Sequence, residues 1–288
     1  MKKLTKTIII AALTASHVTL AANIAFNNGG GDGSWETATN WVGGALPTST
    51  DSAQIQANAS LSSAQNVSGV LVYTAELVIN SGGSITATSV VNIGQATTTD
   101  GILTINTGGT LTTTNGISLG PQSVNASGTL NLNGGTINST NHIVGRGNTG
   151  ATRAESFLNF NAGTASFRNF EFNDIDLTNV VFNWALSGTS TVANISVTSA
   201  SFANDLAAVD TFNFTGGTLV NGDVVTLISG SGGAFNNLSG IAVTGIATGG
   251  VLSQVGNNLV LTVIPEPSSL MLLTGGLLSL AFYRRRKA

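Results

Sequence analysis

The sequence predicts an all-β protein, a parallel β-helix solenoid of ~27-residue coils with a signal peptide before it and a transmembrane helix after it. Three observations carry that prediction. A short apolar motif returns through the middle of the chain at a nearly constant interval, the composition favours strand over helix, and the basic residues are segregated to the two ends. The expected sense of the coil is right-handed.

Residues 1–22 open on Lys2, Lys3 and Lys6 and continue through an apolar stretch from Ile8 to Leu13, resuming at Val18 to Leu20. They close on the small pair Ala21-Ala22. This is the order of a secretory signal peptide, and its apolar part, broken by Thr14, Ser16 and His17, is too short to span a bilayer comfortably. Cleavage near Ala22 is therefore expected.

The body, residues 23–264, contains no lysine and only Arg146, Arg153 and Arg168. Set against thirteen Asp and Glu between Asp32 and Glu266, these leave about −10 between the hydrophobic ends. Nucleic acid is excluded as a partner, because neutralising phosphates takes clustered Lys and Arg. Cysteine is absent, so an exported fold has to rest on burial and backbone pairing rather than disulfides. Gly, Thr, Ser, Asn and Val with few charges suit strands, and regularly spaced Leu, Ile, Val and Phe argue against disorder.

Within the body, LVINSGGSI from Leu77 is echoed by LTINTGGTL from Leu103, LNLNGGTI from Leu130, LNFNAGTASF from Leu158 and FNFTGGTLV from Phe212. The last step is twice the others, with a degenerate copy expected at Trp184-Ala-Leu186-Ser-Gly188-Thr189. A second motif follows at a steady offset and ends at Gly94, Gly120 and Gly145. Each unit reads as three short strands and three turns. Alternation puts Leu103 and Ile105 on one face, and repetition stacks equivalent residues inward, forming a column that no single coil could bury. About nine coils would make a rod of roughly 40 Å. Asn80, Asn106, Asn133 and Asn161, after the strand, suit either a side-chain ladder or a left-handed turn.

A solenoid exposes strand edges at its ends, so both need caps. Trp35 to Ile55 and Val224 to Val263 depart from the repeat and fill those places. Both segments resemble the first and last coils of secreted bacterial proteins with autotransporter-associated β-strand repeats. Trp35 and Trp41 are expected to cap the core, the alternative being a sugar-stacking platform.

Little in the body suggests chemistry. With no Cys, and with His142 the only histidine after signal removal, neither a nucleophilic triad nor a zinc site can be assembled. His142 is expected as a surface or turn residue. Glu171, Asp174 and Asp176 form the one carboxylate cluster, a weak calcium candidate. A polysaccharide lyase would use such acids with Arg146, Arg153 or Arg168. Alternation also makes Asp174 and Asp176 a solvated outer face while Phe170, Phe172 and Ile175 compete for the inside. No cofactor and no catalytic residue are assigned, and the protein is expected not to be an enzyme.

Residues 265–288 begin Pro265-Glu266-Pro267, run through an apolar stretch from Ser268 to Tyr283, and end in Arg284, Arg285, Arg286 and Lys287. About 16 residues at 1.5 Å each reach roughly 24 Å, a marginal membrane span, and the basic cluster would fix its cytoplasmic end. The three ordered parts resemble the PEP-CTERM sorting signal of Gram-negative bacteria. That resemblance implies an exosortase-type membrane protease as partner, processing at Pro265, Glu266 and Pro267, and transfer to the cell surface or an exopolysaccharide matrix such as a biofilm. The expected function is that of a surface or matrix structural protein associated with exopolysaccharide. The alternative is a polysaccharide lyase or hydrolase displayed by the same anchor.

Overall fold

The computed structural model describes residues 21–95, 100–120, 127–145, 156–172, 180–201, 203–247 and 249–264. Residues 1–20 of the expected signal peptide and the whole of 265–288 lie outside these. Among the described residues no helix is long and apolar enough to cross a membrane.

The body is a parallel β-solenoid, and each turn visits three faces. The first face holds Ala59–Leu61, Glu76–Ile79, Gly101–Asn106, Val180–Ser187, Val209–Gly216 and Ala242–Thr244. The second holds Ala64–Val67, Ser84–Ala87, Thr110–Thr113, Ala193–Val197 and Val224–Gly230. Two long strands, Gly128–Ser139 and Ser156–Phe167, bend through the corner and serve both faces, which join into one 16-stranded sheet. The third face is a separate nine-stranded sheet running from Asn23–Phe26 to Phe235–Asn236.

About seven turns result among the described residues, against the nine or so that the period suggests. The surplus residues lie in the caps and in long corners. Turn length varies more widely than ~27, since Ala59 pairs with Leu77 while Glu171 pairs with Asp205. At ~4.8 Å per layer, the nine stacked strands of the third face span about 38 Å.

The repeated apolar positions stack as expected. Leu77, Leu103, Leu130 and Leu158 are register partners in sequence, all fully buried, and Ile79, Ile105, Leu132 and Phe160 form the column beside them. The degenerate copy begins two residues earlier than expected. Phe182 pairs with Leu158 on one side and Phe212 on the other, so the missing unit reads Phe182-Asn-Trp184. A small hairpin follows it: Leu186 and Ser187 pair back onto Thr191 and Ser190, lengthening the step from Phe182 to Phe212. Towards the C-terminus aromatic side chains fill the core, with Phe160 against Trp184 and Phe182 against Phe212 at centroid separations of 4.8 Å.

The recurring Gly-Gly has two separate causes, seen at Gly108-Gly109. Gly108 turns the corner at φ 77°, a region that side chains disfavour. A Cβ on Gly109 would stand 2.5 Å from the carbonyl oxygen of Ile79 in the turn below, so the second glycine admits close approach of successive turns. The left-handed turn considered for the asparagines is thus taken by glycines. The asparagines ladder instead: Asn106 donates to Asn80 Oδ1 at 2.9 Å and Asn161 to Asn133 Oδ1 at 2.8 Å.

Both ends are closed, by different means. At the front, Phe26, Trp35 and Trp41 meet edge-on with centroids 5.1 and 4.7 Å apart, and Trp41 Nε1 donates to the Trp35 carbonyl at 2.7 Å. At the back, the chain reverses. Asn258–Val263 pairs antiparallel with both Val224–Gly230 and Gly250–Val255, ending the parallel stack.

Candidate functional site

Trp35 and Trp41 are 0 and 2% exposed, which makes them a lid over the core and removes them as a sugar platform. Polar groups clasp the loop that carries them. Asp32 accepts from Thr37 Oγ1, Ser34 N and Asn40 Nδ2, and those bonds hold its carboxyl below the ordinary value. Burial works against ionisation of Glu36. Hydrogen bonds from Ser62 N, Ser34 Oγ and Ser63 outweigh that and leave its carboxyl below normal as well. Asp51 is lowered by the hydroxyl and N–H of Thr48, and it also accepts from Ala22 N at 3.1 Å, at the junction between the expected signal peptide and the body.

A second polar system escaped the sequence reading. On the outside of the first face, Thr104 donates to Glu76 at 2.6 Å, Asn131 to Thr104 at 3.0 Å and Asn159 to Asn131 at 2.6 Å. Asn183 then donates to Asn159 at 2.6 Å, Asn213 to Asn183 at 3.0 Å and Thr244 to Asn213 at 3.1 Å. Every donor points towards the front of the rod and the chain ends on the carboxylate of Glu76, an arrangement in which each bond polarises the next. The signal was present in the second position of LNLN, LNFN, FNW and FNF. It went unread because the first two copies carry Val78 and Thr104 there.

The second face is different in kind. Its outward positions form two columns in register, Ser84, Thr110, Thr136, Thr164, Asn194 and Thr86, Thr112, Asn138, Ser166, Ser196, Ser229. None is charged. Their partners inward, Ile85, Leu111, Ile137, Ala165 and Ile195, are all core. Shallow troughs cross this face, lined by Asn138, Thr164, Ser166, Asn194, Ser196 and Ser229, and further on by Ser190, Thr191 and Thr226.

Of the carboxylate cluster, Asp174 and Asp176 lie outside the described residues, as do Arg146 and Arg153. Glu171 is on the third face beside Arg168, which the sequence places three residues away, and His142, which only the stacking of turns brings to it. Its carboxylate oxygens lie 3.3 Å from His142 Nδ1 and 3.6 Å from Arg168 Nη2, and Asn169 Nδ2 donates to it at 3.1 Å. Arg168 Nη2 is also 3.2 Å from His142 Nδ1. The pairing of Ile143 with Phe170 in the next turn produces this meeting, since it sets the corner before one strand over the corner before the next. His142 lies in the corner just before Ile143–Gly145, with its side chain 16% exposed. Among the described residues no group of three or more His, Asp and Glu is placed to hold a metal ion.

The sorting residues Pro265, Glu266 and Pro267 and the terminal Arg284, Arg285, Arg286 and Lys287 also lie outside the described residues, but the point from which they depart is fixed. Val263 donates to the Asp223 carbonyl at 2.9 Å and accepts from Gly222 N at 3.0 Å, while Ile264 N donates to Gly249 O at 3.3 Å. Pro265 is the next residue. The tail therefore leaves a pinned strand with no linker between body and tripeptide.

Residues 263–287 match the PEP-CTERM protein-sorting motif. The motif carries with it export, processing by an exosortase at the membrane, and a cell-surface or extracellular destination. No curated protein and no solved structure was found to match the chain.

Proposed function

We propose that the protein is a non-enzymatic structural component of the cell surface or extracellular matrix, released to it by exosortase processing and holding extracellular polysaccharide on its second face. The uncharged double column of Ser, Thr and Asn is the observation behind this reading. Hydroxyl and amide groups both donate and accept, matching the hydroxyls of a sugar chain, and the array repeats once per turn. Individually weak contacts along one polymer add through effective concentration. The absence of charge from a face of so acidic a body points to a neutral polymer and to binding that salt does not screen.

The test is retention of the processed protein on immobilised neutral polysaccharide from the producing cells, compared with a variant carrying Thr112→Glu and Thr136→Glu. Salt-independent retention that the two carboxylates abolish is expected. Equal retention of both proteins would remove the second face as the binding surface.

A second reading, a surface-displayed polysaccharide lyase or hydrolase, draws on the meeting of Glu171, Arg168 and His142. Glycan cleavage that disappears in Glu171→Gln would favour it over the structural role.

A further inference from the structure

Seven large hydrophobic side chains stand exposed among the described residues, and five of them, Val220, Val224, Val251, Val255 and Ile264, belong to the C-terminal end. Scattered exposed valines are ordinary on any protein. Four of these are gathered at one point. Val224 and Val251 flank Thr262 as direct partners across three antiparallel strands, exposed by 58 and 47%. Val263 faces the core, so strand alternation sends Ile264 out on the same side as Thr262. Val220 stands in the adjoining turn, closed by its N–H to Asp223 Oδ2 at 2.7 Å and held against Val263 through Gly222 and Asp223.

Capping does not account for these side chains. Leu252, Leu259, Leu261 and Val263 seal the core from this hairpin, and the four exposed residues face the other way. On the last strand of the second face Val224 stands beyond the end of the Ser, Thr and Asn columns, which close at Ser229, and it has Thr262 and not a column residue as its partner.

What lies opposite this patch follows from the chain that leaves it. Only Pro265, Glu266 and Pro267 separate Ile264 from the apolar run that starts at Ser268. Fully extended, that step covers at most about 14 Å. The headgroup layer on each side of a hydrocarbon core is about 5–7 Å thick, so a tail in the membrane brings Ile264 to the bilayer surface. No lysine or arginine belongs to the patch, which leaves apolar contact as the means of attachment.

We propose that Val220, Val224, Val251 and Ile264 form an apolar collar that seats in the headgroup–acyl boundary of the membrane, so that the unprocessed protein is docked on the bilayer and not merely tethered to it. The proposal rests on the reading that residues 268–283 enter the membrane. Tethering supplies the high local concentration that lets so small a patch engage, and removal of the tail would release the rod from the surface.

The chain has no cysteine, so one introduced thiol reports one place. The full chain carrying Val251→Cys, and separately Thr86→Cys on the same face near the other end, is labelled with an environment-sensitive fluorophore and incorporated into phosphatidylcholine vesicles. At position 251 a blue-shifted emission, several-fold protection from aqueous iodide and quenching by a nitroxide at headgroup depth are expected, with none of these at position 86. Co-flotation of the protein with vesicles while both labels remain equally open to iodide overturns the collar and leaves the membrane tail standing. Failure to co-float overturns both. Protection at position 251 that arises without vesicles and grows with protein concentration identifies a second copy as the occupant and likewise overturns the proposal.

Discussion

The two ends of the rod solve one problem in opposite ways. The front closes with a lid in which Phe26, Trp35 and Trp41 are withdrawn from water and the loop around them is clasped by Asp32, Glu36 and Asp51. The back closes with an antiparallel hairpin that covers the core on one side, exposes valines on the other, and delivers the chain directly into the sorting motif. One end finishes the fold, and the other connects it to something else. Stability should therefore be concentrated at the front and sorting at the back.

The largest effect expected from that contrast is all-or-none. Replacing Pro265, Glu266 and Pro267 together by Ala should leave the urea midpoint of the body unchanged while abolishing removal of the tail. The variant would then stay in the membrane fraction at the higher mass. If parent and variant both keep residues 268–288 and fractionate together, the back end is only an anchor.

Next in size is the lid. Trp41→Ala opens a cavity over the first turns and loses the bond to the Trp35 carbonyl, for a loss of about 3–5 kcal/mol. Val251→Ala at the back, where the side chain is half exposed, should stay within about 0.5 kcal/mol. Comparable urea midpoints for the two variants would erase the distinction between the ends.

Acid should separate the ends as well. The carboxyls of Asp32, Glu36 and Asp51 titrate below their unfolded values, so the folded state binds fewer protons than the unfolded one. Their contribution is complete above the unfolded carboxylate range and fades as pH falls from about 4 through the lower folded values. In a Trp184→Phe background the remaining tryptophans report on the lid alone. Their fluorescence should change at a higher pH than the far-ultraviolet circular dichroism of the rod. A single coincident transition would show that the lid is not the acid-sensitive element.

The smallest effect tests the middle against both ends. Asn159→Ala removes one donor and one acceptor from the ladder on the first face, at about 1–2 kcal/mol. Thr112→Ala on the second face should cost nothing measurable, since that column is offered to a partner. Equal losses at both positions would make the second face part of the scaffold.

The sequence determined the solenoid because its evidence is local and repeated. Leu103 with Ile105 announces an inward pair, Gly108-Gly109 announces the corner, and recurrence implies stacking, as the register of Leu77, Leu103, Leu130 and Leu158 bears out. The sorting motif was legible for the same reason, being contiguous from Val263 to Lys287. The number of turns was not legible, because strand register tolerates corners of any length and a fixed period counts residues, not layers. Nor were contacts between turns. His142 meets Glu171, and Asn131 meets Asn159, only because particular strands lie in particular register, with the intervening corners absorbing the difference. The exposed valines around Ile264 belong to three stretches of chain that only the antiparallel reversal brings together. Local periodicity thus specifies what each turn is made of, and the pairing of one turn on the next decides which side chains become neighbours.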